Sequence, residues 1–146
     1  MTRYFIDMDG TIAEFKESTM DELLSKGYFE SLRPNENMLM RVKNLALRNK
    51  GNVYILSSVL KESKFAEEEK NAWLDRYLPE IDKAHRIFSK CGEDKSNYVP
   101  DINKNDILLD DYTENLLSWE KAGGTGVKAL NGINGKGRVW KGARIC

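Results

Sequence analysis

The chain has a single histidine, His85, so no site that needs two imidazoles can be built from it. Its two cysteines, Cys91 and Cys146, are too few for a four-thiolate zinc site or for the disulfide framework of a small secreted domain. A reducing, cytoplasmic compartment is therefore expected. Charge of one sign is also missing: Lys plus Arg and Asp plus Glu each number 23, and the formal net charge is zero. Proteins that work on phosphate backbones or anionic lipid carry a basic excess. Neither a nucleic-acid polymer nor a membrane is expected as a partner. No run approaches the roughly 18 apolar residues of a membrane-spanning helix. The N-terminus turns acidic at Asp7, where a signal peptide would stay apolar. Internal repeats and low-complexity segments are absent, and the oligomeric state stays open.

What is present suits one domain spanning residues 1–146. Hydrophobic residues make up 40% and charged residues 32%, enough for a core under a solvated surface. Short apolar runs alternate with longer periodic stretches. Tyr4-Phe5-Ile6, Val53-Tyr54-Ile55-Leu56, Arg86-Ile87-Phe88, Ile107-Leu108-Leu109 and Val127-Lys128-Ala129-Leu130 read as strands buried on both faces. Between them, Asn35 is placed to cap a helix carrying Met38, Val42, Leu45 and Ala46, stopped by Gly51. Ser63 is placed to cap one carrying Phe65, Ala72, Trp73 and Tyr77, with Glu67-Glu68-Glu69 on its wet face. Thr113 is placed to cap one carrying Leu116 and Leu117, ended by Gly123-Gly124. The alternation predicts an α/β fold: a doubly wound, mainly parallel, Rossmann-like sheet flanked by helices.

About 40 residues separate the first two strands, roughly twice a plain crossover. Within them Thr19-Met20-Asp21-Glu22 reads as a capping box opening a short helix. Residues 13–34 are thus expected to form a small helical cap over the carboxyl edge of the sheet, where open α/β sheets bind ligands.

Polar residues follow four of the strands. Asp7 and Asp9 come after the first, Ser57 and Ser58 after the second, Lys95 after the third, and Asp110-Asp111 after the fourth. Singly, each has an ordinary reading as a turn, a cap or a solvated charge. Together they would converge on one mouth. Adjacent carboxylates repel unless a cation joins them, and clustered carboxylates without His or Cys suit a hard divalent cation, Mg²⁺ before Zn²⁺. Such a metal beside a hydroxyl and an ammonium makes a phosphoryl site. On an extended backbone, Asp7 and Asp9 would point to the same side. One could attack phosphorus while the other moves protons.

Asp7-Met8-Asp9-Gly10-Thr11 resembles the first motif of the haloacid dehalogenase superfamily of phosphohydrolases, and Ser57, Lys95 and Asp110-Asp111 resemble its other three in order. Within it the chain is similar to the 5'(3')-deoxyribonucleotidases. Three stretches carry that likeness: Asp94-Lys95-Ser96, the run from Ile107 to Leu116, and the tail from Leu130 to Gly135 with Trp140. The resemblance implies a Mg²⁺-dependent phosphomonoesterase acting on (deoxy)nucleoside monophosphates through an aspartyl-phosphate. Asp7 would be the nucleophile and Asp9 the general acid, later the base. Gly10, Thr11, Ser57, Ser58 and Lys95 would hold the phosphate. Asp7, Asp9 through its main-chain carbonyl, and Asp110 or Asp111 would hold Mg²⁺.

The sequence departs from that family in a shorter insertion after the first motif and in Ser58-Val59, where a proline is expected nearby. Phe15, Tyr28, Phe29 and Arg33 lie in the insertion and could stack a base or meet a phosphate. The alternative is that Tyr28 and Phe29 anchor the short helix on the sheet. Two other functions compete: a phosphatase for another small phosphomonoester such as a sugar phosphate, and a phospho-accepting receiver-like domain. Receivers carry their acidic pair after the first strand and the phosphorylated Asp after a later one, the inverse of the order here. His85 is read as structural and the Gly123–Lys128 stretch as a helix stop; Cys91 lies near Lys95, but nothing marks it as reactive.

Overall fold

A computed structural model describes residues 1–131 and 140–145. The Gly135–Arg138 stretch, whose two glycines read as a turn, and most of the Leu130–Gly135 tail fall outside them. Among the described residues, six parallel strands form one sheet: β1 (Arg3–Ile6), β2 (Val53–Val59), β3 (Arg86–Lys90), β4 (Asp106–Asp110), β5 (Thr125–Ala129) and β6 (Ala143–Ile145), in the order β3-β2-β1-β4-β5-β6. The chain winds outward from β1 in one direction and from β4 in the other. The sheet therefore has its switch point between those two strands, where an open α/β sheet leaves a crevice at its carboxyl edge.

Period-two alternation sorts the strand residues into two cores. Ile6, Ile55 and Leu109 face α2 (Glu36–Arg48), α3 (Ala66–Tyr77) and the segment after β1. Phe5, Leu56 and Leu108 face the opposite layer, where Leu116 and Trp119 of α4 (Thr113–Lys121) pack with Val99 and Trp140. Trp119 Nε1 donates to the Asp106 carbonyl at 3.0 Å, tying α4 to the start of β4. Trp140 packs back on the domain as expected, and the segment after it adds β6. That strand is three residues long and lacks an apolar run, which is why periodicity does not reveal it.

Three sequence expectations shift. Ser57 and Ser58 lie within β2, which runs on to Val59, so the two hydroxyls leave opposite faces. Thr113 is the first residue of α4, with Tyr112 at the N-cap. Ser63 stands three residues before α3, although its Oγ still accepts from Phe65 N at 3.3 Å and Ala66 N at 3.0 Å. The capping box is present as read: Thr19 and Glu22 exchange bonds at the start of α1 (Met20–Leu23).

The ends of the segment between β1 and α2 are stitched together. Ala13 bridges Pro34, Glu14 N donates to Arg33 O at 2.7 Å, and Asn35 N donates to Ile12 O at 2.7 Å. Helix α3 holds its far side. Trp73 Nε1 donates to Leu32 O at 2.8 Å. The Glu69 carboxylate accepts from the N–H groups of Gly27 at 2.6 Å, Phe29 at 3.1 Å and Glu30 at 3.4 Å. Glu69 is therefore buried and does not belong to a wet acidic face. The helical period carries the reason: Ala66, Glu69, Lys70, Trp73 and Leu74 share one buried stripe, leaving Glu67 and Glu68 outside it.

Removing the Glu69 carboxylate strands backbone donors that have little access to water. Glu69→Ala is expected to cost about 2 kcal/mol or more, and the exposed Glu68→Ala to stay within about 0.5 kcal/mol. Urea unfolding of the two variants checks this contrast.

Candidate active site

The site grows from the carboxyl ends of β1 and β4, held side by side by the Ile6–Leu109 pairing and by Asp7 N donating to Leu109 O at 2.9 Å. Strand β1 stops at Ile6. The Met8 carbonyl then accepts from the N–H groups of Thr11, Ile12 and Ala13, each at 3.0 Å, and the chain turns sharply. The turn follows Met8, and the carboxylates of Asp7 and Asp9 meet different partners. Asp7 is buried, with Lys95 Nζ on Oδ1 at 2.8 Å and Thr11 Oγ1 donating to Oδ2 at 3.2 Å. Asp9 is half-buried, with Lys70 Nζ on Oδ2 at 2.8 Å.

Asp7, Asp110 and Asp111 form one buried group, with a carboxylate oxygen from each lying within 4.8 Å of the others. Lys95, the first residue of a short 3-10 helix after β3, is buried and bridges two of them, reaching Asp110 Oδ2 at 2.7 Å. Asp110 accepts from three protein donors. Tyr112 N donates to Oδ1 at 2.9 Å, and Asn115 Nδ2 joins Lys95 on Oδ2 at 3.0 Å. Asp111 Oδ2 accepts from Asn131 Nδ2 at 2.9 Å, while its carbonyl accepts from the buried Lys128 Nζ at 2.7 Å.

Burial, together with the Asp110 charge, pushes the Asp7 carboxyl above its ordinary range, against the pull of Lys95. Burial opposes the Lys95 ammonium. The charges of Asp110 and Asp7 and its hydrogen bonds to both override that and hold its pKa above the usual lysine value.

Gly10 makes this convergence possible. Its φ is +85°, and a Cβ there would lie 2.3 Å from Asp111 Oδ2 and 2.9 Å from Asn131 Nδ2. The first loop thus touches the fourth-strand loop at a point that admits no side chain. Asn131 Nδ2 also donates to the Gly10 carbonyl at 3.0 Å, closing the contact. The N–H groups of Gly10 and Thr11, expected to hold phosphate, donate within the loop, to Ala13 O at 2.9 Å and Met8 O at 3.0 Å.

The two serines separate. Ser57 Oγ is buried and accepts from Lys70 Nζ at 2.9 Å, which puts it beside Asp9. Ser58 Oγ pairs with Ser89 Oγ at 3.0 Å on the β3 side, and only its carbonyl meets Lys70. Of the insertion residues, Phe15, Tyr28 and Phe29 line a cavity of about 190 Å³ together with Asp9, Leu23 and Leu32. Tyr28 and Phe29 are also buried in the core, packed edge to face with ring centroids 4.9 Å apart. Arg33 is exposed and lines a neighbouring cleft with Phe15 and Lys16, away from Asp9.

Lys70, Asn115, Lys128 and Asn131 are site residues that motif reading misses. Lys70 did leave a signal, since it shares the helical stripe of Ala66 and Trp73, where a charge needs a buried partner. His85 bonds Asp82 Oδ1 at 2.8 Å with its ring against Tyr54, Gly123 follows α4 at φ +108°, and Cys91 is exposed.

A parallel sheet with acidic loops meeting at its switch point, one buried lysine between them, and a ring-lined cavity alongside is the arrangement expected from the resemblance to haloacid dehalogenase phosphohydrolases. The pattern of the 5' nucleotidase, deoxy (pyrimidine), cytosolic type C family matches residues 11–127, and the chain belongs to that family. No curated protein matches the chain.

Gly10→Ala forces a side chain into the Asp111 carboxylate and is expected to cost about 3 kcal/mol. Gly51 has a similar φ of +82° with nothing near its Cβ position. Gly51→Ala should therefore lose only the backbone term, about 1 kcal/mol. Denaturant midpoints of the two variants test whether the loop contact is as tight as described.

Proposed function

We infer that the chain is a Mg²⁺-dependent phosphomonoesterase that releases phosphate from (deoxy)nucleoside monophosphates through an aspartyl-phosphate on Asp7. One observation carries the reading: Asp7, Lys95 and the Asp110-Asp111 doublet, from three separate chain segments, meet in one buried cluster beside a cavity lined by aromatic rings.

The donor set fits a hard cation. The three carboxylates of the cluster offer only oxygen, and packed this closely they repel unless a positive charge lies among them. Asp7 and the acidic doublet would hold Mg²⁺, with the Asp9 carbonyl as a further ligand. Asp110, already accepting three protein donors, would act through water. When bound, Mg²⁺ supplies charge that offsets the phosphoryl oxygens and lets an anionic nucleophile approach them.

The chain's own residues supply the rest. Lys95 and Thr11 hold the two Asp7 oxygens, so the carboxylate is oriented before substrate arrives. Asp7 attacks phosphorus, the bond to the leaving oxygen breaks, and that oxygen takes a proton from Asp9. Water then attacks the aspartyl-phosphate and gives its proton back to Asp9, restoring Asp7 and releasing phosphate. Ser57 is the serine placed to hold a phosphoryl oxygen.

The segment 13–34 acts as a small cap. Phe15, Tyr28 and Phe29 give the adjoining cavity rigid apolar walls, suited to a flat base. The whole chain functions as one catalytic domain on a small molecule, in the cytosol. Among the described residues no helix is long and apolar enough to cross a membrane.

Phosphate release measured across deoxynucleoside monophosphates and sugar phosphates tests the reading. Release should favour the nucleotides, stop on chelation and return with Mg²⁺. In Asp7→Asn it should fall by at least ~10³-fold. Equal rates on sugar phosphates would remove the nucleotide preference, and release persisting in Asp7→Asn would remove the covalent route.

A further inference from the structure

Lys70 lies outside every motif that points to the site, yet it is 1% exposed and its ammonium meets three acceptors. These are Asp9 Oδ2 at 2.8 Å, Ser57 Oγ at 2.9 Å and the Ser58 carbonyl at 2.8 Å. An ammonium has three donors, so this one is fully committed. The Phe29 ring, its centroid 4.8 Å away, covers it from the side of the aromatic cavity. The other Asp9 oxygen differs. Oδ1 is buried and accepts no hydrogen bond among the described residues. An orphaned buried carboxylate oxygen is costly unless a proton or a ligand meets it during function.

We propose that Lys70 is the positioning residue for proton transfer, pinning Asp9 by Oδ2 so that Oδ1 carries the proton, and turning the Ser57 hydroxyl hydrogen toward the phosphoryl group. This role rests on the phosphatase reading above. In the first half-reaction the P–O bond to the nucleoside breaks, its electron pair stays on the leaving oxygen, and the Asp9 Oδ1 proton moves to that oxygen. In the second, water attacks phosphorus, the bond to Asp7 breaks, and the water proton moves to Oδ1. Oδ2 stays an acceptor whether or not Oδ1 carries a proton, so the Lys70 contact survives both halves and the side chain need not be reoriented. The same ammonium fills an acceptor site on Ser57 Oγ, which leaves the hydroxyl hydrogen as the part of Ser57 that can reach an anion.

The two roles a buried lysine could otherwise play, packing or binding phosphate directly, would affect every phosphate ester alike. Proton delivery would not. A deoxynucleoside alkoxide leaves poorly without a proton, whereas p-nitrophenolate leaves with little help. The test is kcat/KM, which reports only the first half-reaction and leaves out the shared hydrolysis of the aspartyl-phosphate, on a deoxynucleoside monophosphate and on p-nitrophenyl phosphate for wild type, Lys70→Met, Asp9→Asn and the double variant. Lys70→Met should lower kcat/KM on the nucleotide by about 10²-fold and on the aryl ester by less than about fivefold. Added to Asp9→Asn, it should lower the nucleotide rate little further, because the two residues act as a unit. The ratio of the two rates within one preparation does not depend on the folded fraction. Lys70→Gln supplies the same ratio if the methionine variant does not fold. Equal losses on both esters, or fully multiplicative losses in the double variant, would overturn the role. A wild-type protein that hydrolyses neither ester would instead bring down the phosphatase reading, and this role with it.

Discussion

The structure depends on one ion pair shared three ways: Lys95 between Asp7 and Asp110, at 2.8 Å and 2.7 Å. All three groups are buried, and no two of them come from the same strand. A buried carboxylate without a partner is costly, and a buried ammonium is equally so. Each of the three is therefore tolerable only while the loops after β1, β3 and β4 stay together. The contact does little for stability that an apolar core could not do. What it does is hold the Asp7 carboxylate, the proposed nucleophile, at a fixed place and orientation.

The parallel sheet supplies the frame for that pair. With β1 and β4 adjacent and the chain winding away on both sides, two acidic loops leave the same edge at the same height. Gly10 then lets them touch, because any side chain there would strike Asp111. On the other flank, α3 reaches both the aromatic cavity wall and Asp9 with Ser57. Glu69 holds the turn carrying Tyr28 and Phe29, and the next residue, Lys70, holds Asp9 and Ser57. Consecutive residues on one buried stripe thus set the position of the cavity wall and of the Asp9 carboxylate.

Much of this was legible in the amino-acid order. Five of the six strands announce themselves as apolar runs, because strands buried on both faces leave no polar alternation to blur them. Asp7, Lys95 and the Asp110-Asp111 doublet could be found because each stands where a strand gives out. β6 could not be found, being too short and too exposed to carry a pattern. Ser58 was misplaced, since a strand that continues through two serines sends alternate side chains to opposite faces. Glu69 reads as part of a solvated face because three adjacent carboxylates outweigh the helical period, and Lys70 belongs to no motif. The stripe they share with Ala66, Trp73 and Leu74 held the information. Asn131 could not be placed beside Gly10 from sequence, since 121 positions separate the two and only the folded sheet brings them together.

The central claim is that Asp7 and the acidic doublet share one hard cation. Crystals grown with Mn²⁺ in place of Mg²⁺ give the most direct measurement, through the anomalous signal of the metal. The account predicts a single peak among the three carboxylates, at bonding distance from oxygens of Asp7 and Asp111, with Asp110 reached through a water. A peak elsewhere, or an empty cluster in crystals of a protein that is active with Mn²⁺, would contradict it.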